Sequence, residues 1–257
     1  MPYRFGLAGG WIDQPFVSRH DPNPPGSMVV VAVEPTHHFM DRSGIATSTR
    51  RVATELWPTG LPSDRPLAEL VRDLYAAENH ATDQPSGSQD MIGLIYPGIS
   101  RLDYDVAHEG GVFPGHIEST SDRAIVEWLE RVLHVLPIEP RPLGYDPLGK
   151  RNLDSEWIGR LGQSGRACFD AILSKDVDQL GAAMTESVTC WSAILPDSFT
   201  HASLTVDWPE ILAYYQTRYP GATASASGGG YVFVASEQRV PGSFRCTVRR
   251  AAPIGSR

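Results

Sequence analysis

The sequence predicts an α+β fold in two lobes, and three observations predict it. Short β-branched or apolar segments, such as Met28–Glu34 and Tyr231–Val234, alternate with longer stretches of helical periodicity. A glycine-containing loop, Ser43–Thr49, runs directly into one of those helical stretches. Near the end of the chain, the glycines Gly228–Gly230 separate two strand-like segments. This order places a mixed-sheet lobe over residues 1–110 and an α+β lobe with a strand–glycine–strand hairpin over 111–257.

Residues 3–8 read as a strand entering a first glycine loop, and 19–27 as a proline-rich loop. Met28–Glu34 is Val-rich enough for a buried strand. Thr47–Leu56 follows the second glycine loop as a helix. Leu67, Leu70, Val71, Leu74 and Tyr75 mark one face of the next helix, with Pro66 in its first turn. A third helix spans Ser88 to Tyr96, capped by Ser86, with Asp90 in its first turn where the helix dipole favours a carboxylate. A strand at 101–106, a helix at 122–131 and a strand at 132–138 follow. The stretch 141–149 is turn-rich and reads as a connection. Two amphipathic helices carry Trp157 to Ile172 and Val177 to Trp191, and a shorter one starts at Asp207-Trp-Pro209. Strands at 222–226, 231–234 and 244–249 complete the chain.

With 257 residues, 41% hydrophobic and 20% charged, the chain can bury one good core or two small lobes sharing a cleft. A formal net charge of −8 argues against a nucleic-acid partner but leaves room for a local basic pocket. No apolar run approaches a membrane span, and the first residues lack a secretory signal, so no membrane partner is expected. Cys168, Cys190 and Cys246 are sparse, odd in number and without metal-ligand spacing, which suits a reducing compartment; the cytoplasm is the expected location.

Four stretches carry the candidate chemistry: Leu7–Asp13, Ser43–Thr49, Pro85–Asp90 and Ser227–Gly230. Each sets small residues beside a carboxylate or hydroxyl, where backbone amides can approach an anion. Thr47 and Ser48 add hydroxyls at the start of a helix, although an ordinary Ser/Thr-capped helix has the same composition. Asp90 reads as a catalytic base or a simple first-turn acid, Glu78 as a functional or a solvated helix-end carboxylate, and Asp13 as a ligand group or a turn former. Arg4 lies on the first strand. Three glycines between apolar strand segments point to close approach by another backbone or a ligand. His37-His38 lacks a third metal ligand nearby, and Trp157 and Trp191 fall at helical core positions.

Together these stretches resemble the GHMP kinases, the superfamily of galactokinase, homoserine kinase and mevalonate kinase. The likeness is strongest to the sugar branch of heptose-7-phosphate kinases and the fucokinase kinase domain. Arg4-Phe-Gly-Leu-Ala-Gly-Gly-Trp-Ile-Asp13-Gln-Pro15 resembles that branch's opening strand, Ala-Gly-Gly-Gly-Thr-Asp and proline. Ser43-Gly-Ile-Ala-Thr-Ser-Thr-Arg50 resembles its phosphate loop, Ser-Gly-Leu-Gly-Ser-Ser-Ser-Ala. Glu78, Gly87-Ser-Gln-Asp90 and Pro97-Gly98 resemble the next signature, and Ala226-Ser-Gly-Gly-Gly-Tyr231 resembles the glycine run before a late strand.

The resemblance implies a ribosomal S5 domain 2-like first lobe and a ferredoxin-like second lobe. It implies a kinase that moves the ATP γ-phosphoryl group to a hydroxyl, such as the anomeric one, of a sugar or sugar phosphate. Asp90 would accept a proton from the hydroxyl or orient it, and Arg4 would polarise it or stabilise the moving phosphoryl group. Asp13, with Gly9, Gly10 and Gly228, Gly229 and Gly230, would bind the substrate. Ser43, Gly44, Ile45, Ala46, Thr47 and Ser48 would cradle the nucleotide phosphates, and Ser48 and Glu78 would hold Mg²⁺. A homodimer is compatible with the family. Two departures stand out. About thirty residues separate Asp13 from Ser43, where the family has a much longer segment. Ala46 replaces the loop's second glycine, and Arg50 replaces a small residue, so Arg50 either neutralises phosphate or fills nucleotide space. A homologue that binds a sugar phosphate or nucleotide without turnover is the alternative reading, and a phosphate-eliminating enzyme on the same scaffold is a third.

Overall fold

A computed structural model of the chain describes residues 1–81 and 85–251. Strand β1 (Tyr3–Ala8) runs through a glycine turn and a one-turn helix, α1 (Pro15–Ser18), into β2 (Gly26–Val33). Helices α2 (Thr47–Leu56), α3 (Leu67–Asn79) and α4 (Gln89–Ile95) precede β3 (Ile99–Tyr104) and β4 (His116–Thr120). The four strands form one sheet in the order β1-β2-β3-β4. It is antiparallel at every pairing rather than mixed. Each strand lies beside its predecessor in sequence and returns alongside it, so no parallel crossover is required.

Every residue of β2 is buried. Met28 and Val30 face one core, with Leu70, Leu74, Met91 and Ile95. Val29, Val31 and Val33 face the other, with Phe5, Leu129 and Phe169. A strand covered on both faces reads as a continuous apolar run, which is why its sequence signal is strong.

The second half begins with α5 (Arg123–Val132) and β5 (Leu133–Glu139). Then come α6 (Ser155–Ser174), α7 (Val177–Ile194), α8 (Trp208–Gln216), β6 (Gly221–Ala224) and β7 (Gly230–Ala235). The second sheet is antiparallel in the order β5-β7-β6. Helix α6 packs on both α7 and β2, and α7 packs on β6, so this helix pair joins the two sheets. Aspartates cap the helices here: Asp122, Asp154, Asp176 and Asp207 each accept from first-turn amides of α5, α6, α7 and α8.

Three local expectations change. Residues 244–249 form no strand; Phe244 bridges Val135 of the second sheet and Val248 bridges Val33 of the first. A segment passing from one sheet to the other cannot extend either ladder. The residue preceding α4 is Ser88, not Ser86, and its hydroxyl turns to Tyr104 and the Val112 carbonyl instead of capping. The edge strand β4 went unpredicted because His-Ile-Glu-Ser-Thr carries little apolar alternation. Among the described residues no helix is long and apolar enough to cross a membrane.

Candidate active site

A cavity of about 570 Å³ opens where β1, the Gly10–Gln14 turn, the start of α2, the start of α4 and two loops from the second half meet. Four arginines (Arg4, Arg42, Arg51, Arg141) and three aspartates (Asp13, Asp41, Asp90) line it. In a chain of net charge −8, this concentrates positive charge at one place.

Arg4 and Asp90 form an ion pair, with the arginine side chain nearly buried. The backbone N–H of Arg4 donates to the Ile45 carbonyl at 3.3 Å, which ties β1 to the Ser43–Thr49 loop. The Arg4 side chain then passes over Gly93 of α4, where any Cβ would overlap it. A second contact of its guanidinium is open, because Arg4 Nε has no partner among the described residues.

Asp13 is fully buried, yet it lines the cavity. Gln89 Nε2 donates to its Oδ1 at 3.0 Å, while Oδ2 has no hydrogen-bond partner among the described residues. The backbone at residue 87 closes directly over Oδ2, which only glycine permits: a Cβ there would fall 1.5 Å from that oxygen. Burial, and secondarily the charge of Asp90, pushes the Asp13 carboxyl up to about 7, against a smaller opposing effect of Arg4.

The Ser43–Thr49 loop enters α2 through two left-handed residues, Gly44 (φ 70°) and Ala46 (φ 61°). Ala46 occupies the cap position, and among the described residues no side chain caps α2. The first-turn amides of this helix, unlike those of α5 to α8, are left to water or a ligand at the cavity wall. Gly44, Ala46, Thr47 and Ser48 reach the wall. Ser43 and Ile45 are buried behind it: Ser43 Oγ donates to the Met40 carbonyl, and the Ser43 carbonyl accepts from Ser225 Oγ at 2.6 Å. Glu78 stands behind α2, accepting from Thr49 Oγ1 at 3.0 Å; its Oε2 is buried with no partner among the described residues. Burial raises its carboxyl above the ordinary range, with hydrogen bonds from Thr49 and Ser48 acting against that.

Arg50 does not line the cavity wall. Its Nε donates to the Met1 carbonyl and its guanidinium stacks on Tyr3, while the next residue, Arg51, faces the cavity. The glycines divide similarly. Gly10 lines the wall under Trp191, whose Nε1 donates to the Gly10 carbonyl at 2.8 Å, whereas a Cβ on Gly9 would strike the Ser27 carbonyl. Gly228, Gly229 and Gly230 let Tyr145, Arg141 and the Ser43 carbonyl approach, in that order, and the cavity wall beside them is Ser225–Ser227.

Sequence reasoning missed Arg141 and Tyr145, which it left in a connection. Arg141 Nε donates to the Ser227 carbonyl at 2.8 Å, and its guanidinium lies beside Gly44 of the loop. No local signal marks it, since only the opposing glycine run gives it a place. Trp11 also lines the cavity, at φ 78°, a backbone conformation that bulky residues seldom adopt. Trp191 packs in the core as expected and lines the cavity with the same ring. Among the described residues no group of three or more His, Cys, Asp or Glu side chains is placed to hold a metal.

No protein-family model and no curated protein matches the sequence. Solved structures do match over nearly the whole chain. A D-glycero-D-manno-heptose 1-phosphate kinase from Bacteriodes thetaiotaomicron is 15% identical, with a TM-score of 0.59 over 97% of this chain and 95% of that one. A mevalonate kinase is 11% identical, with a TM-score of 0.56 over 97% and 98%. Mevalonate diphosphate decarboxylase from Staphylococcus aureus is 13% identical, with a TM-score of 0.50 over 97% and 96%. At such identities the likeness is one of fold, and this fold carries more than one reaction. With two antiparallel sheets joined by a helix pair and matched end to end by these enzymes, the chain has the fold of the GHMP kinases.

Proposed function

We propose that the protein is a small-molecule kinase that moves the γ-phosphoryl group of ATP to a hydroxyl of a sugar or sugar phosphate. The observation that carries this reading is the meeting, in one cavity, of the Arg4–Asp90 pair and the uncapped start of α2. Phosphoryl transfer asks for positioning and charge compensation more than for covalent chemistry, and these groups supply both.

In this reading the amides at Gly44 to Ser48 hold the nucleotide phosphates, with Arg141 beside Gly44 as an added cation. Asp90 orients the acceptor hydroxyl, and Arg4 compensates the charge spread over the phosphoryl oxygens. Asp13 and the Gly10 turn contact the acceptor. Ser48 and Glu78 would hold Mg²⁺. The donor set fits that ion, because Mg²⁺ is commonly bound by one or two protein oxygens plus substrate phosphates, and Glu78 keeps an unpartnered buried oxygen. When bound, the ion would neutralise charge on the phosphates.

The test is ADP formation from Mg·ATP with a panel of sugars and sugar phosphates. Acceptor-dependent ADP release that Arg4→Ala removes supports the reading. Ligand-induced thermal stabilisation without any turnover across the panel would instead favour a binding protein.

A further inference from the structure

We infer that Trp11 is the platform on which the acceptor lies, and that the acceptor is an uncharged sugar rather than a sugar phosphate. The inference rests on the kinase reading above and names the acceptor class of that same site.

Trp11 is the third residue of a turn in which the Ile12 N–H donates to the Gly9 carbonyl at 3.3 Å. Its φ of 78° is one that glycine or asparagine ordinarily supplies at such a position. Helix α7 holds the turn in place. Ser187 Oγ accepts from the Gly9 N–H at 3.0 Å, and Trp191 Nε1 donates to the Gly10 carbonyl at 2.8 Å. On the other side, the Gln14 N–H donates to the Trp11 carbonyl at 3.0 Å. Backbone strain of this kind persists where surrounding bonds impose it, and it concentrates at ligand-binding segments. The side chain so held is part-buried and lines the cavity.

The indole face is open. Among the described residues Phe16 is its aromatic neighbour, at 6.2 Å and 67°, so no ring lies flat on it. The Arg151 guanidinium lies over Phe16 instead. Other tryptophans differ: Trp157 is covered by Arg160, and Trp191 is stacked with Phe199 and nearly buried. An indole exposed at a cavity wall gains from any apolar surface laid on it. The C–H face of a sugar ring supplies such a surface while its hydroxyls remain at the edge.

The surroundings suit hydroxyls better than a phosphate. Gln14, Ser86 and Gln89 line the wall at this end, where Gly87 packs against Asp13 and Gln14. Their amides and hydroxyl are neutral donors and acceptors. The charged groups here, among the described residues, are Asp13 and Asp90 against Arg4, which is already paired with Asp90. The other cavity arginines belong to the Ser43–Thr49 side. Arg51 lies on α2, Arg42 donates to the Arg141 and Pro142 carbonyls, and Arg141 lies beside Gly44. A phosphate carried by the acceptor would therefore face two carboxylates and one committed guanidinium. An uncharged sugar meets no such repulsion.

The experiment pairs each neutral sugar with its phosphates and measures ADP formation from Mg·ATP for wild type, Trp11→Gly, Trp11→Asn and Trp11→Phe. The neutral member of a pair should have the higher kcat/KM. Glycine and asparagine suit the left-handed position, so urea unfolding should find both variants folded. Each should raise the acceptor KM by on the order of 10- to 100-fold, with the ATP KM unchanged. Trp11→Phe, which keeps a smaller ring, should fall between them and wild type. Without nucleotide, neutral sugars should shift the intrinsic fluorescence of wild type but not of Trp11→Gly. An acceptor KM unchanged in both Trp11→Gly and Trp11→Asn overturns the platform, and a preference for the phosphorylated member overturns the acceptor class; either leaves the kinase reading intact. Sugar binding that requires Trp11 but yields no ADP upholds the platform and overturns the kinase reading. A panel that neither binds nor reacts overturns both.

Discussion

Arg4 and Gly93 lie so close that a Cβ on Gly93 would fall 2.0 Å from the Arg4 Cγ. The path of the arginine to Asp90 therefore depends on a residue that helix propensity alone would replace. Alanine in the middle of a helix is ordinarily favoured over glycine by about 1 kcal/mol. At this buried position overpacking costs about 1–3 kcal/mol and displaces the cation. Gly93→Ala should leave the protein folded, with stability unchanged or lower by up to about 2 kcal/mol. Phosphoryl transfer should fall as far as in Arg4→Ala. Urea unfolding beside ADP release checks both halves; a fully active Gly93→Ala would separate the arginine from the chemistry.

Ala46 holds a left-handed conformation at the entrance of α2, where a Cβ crowds the following carbonyl. Glycine avoids that contact at the expense of a more flexible unfolded chain. Ala46→Gly should raise stability by up to about 1 kcal/mol, read as a higher urea midpoint with an unchanged slope. A loss of stability would mean that the buried methyl contributes more by packing than it costs in the backbone.

What the sequence made legible was local. The helix 47–56 lies between its predicted ends because a glycine loop and Trp57-Pro58 flank it. Arg4 and Asp90 were singled out from separate stretches, and the fold brings them into one ion pair. The illegible part depends on tertiary placement. Arg141 sits in a proline- and glycine-rich stretch without periodicity, and it acquires a position only from Gly229 opposite, where a Cβ would fall 2.6 Å from its Cγ. Arg50 and Arg51 are adjacent and chemically identical; the helical rotation between them sends one to Tyr3 and the other to the cavity. Asp13 is covered by Gly87 and held by Gln89, which come from a stretch distant in sequence, so no local motif could report its burial.

Arg141 joins the second half of the chain to the loop at Gly44, with its Nε committed to the Ser227 carbonyl. Burial lowers its pKa, with Tyr145 and Asp90 opposing, and a desolvated guanidinium gains from any anion that reaches it. Hydrogen bonds to charged groups contribute about 1.5–3 kcal/mol, so Arg141→Ala should weaken ATP binding by roughly tenfold to a hundredfold. Acceptor binding should change much less. Isothermal titration with a non-hydrolysable ATP analogue and with the acceptor separately checks this; equal losses for both ligands would place Arg141 in general support of the fold.

The burial of Asp13 carries a stability consequence whose sign is fixed. Its carboxyl titrates near 7 in the folded protein against an ordinary value of 3.8. Between those values the folded state keeps a proton that the unfolded chain has released, so the contribution of Asp13 is fully present below about pH 4 and declines as pH rises to about 7. The gap corresponds to at most roughly 4 kcal/mol. Asp13→Asn cannot ionise and keeps an acceptor for Gln89. Its melting temperature should therefore rise above that of wild type as pH increases from 4 to 7, then hold a constant lead at higher pH. For a chain of this size each 1 kcal/mol is worth about 2–4 °C. A variant that is less stable than wild type at pH 8 would mean that the surroundings of Asp13 favour its ionised form.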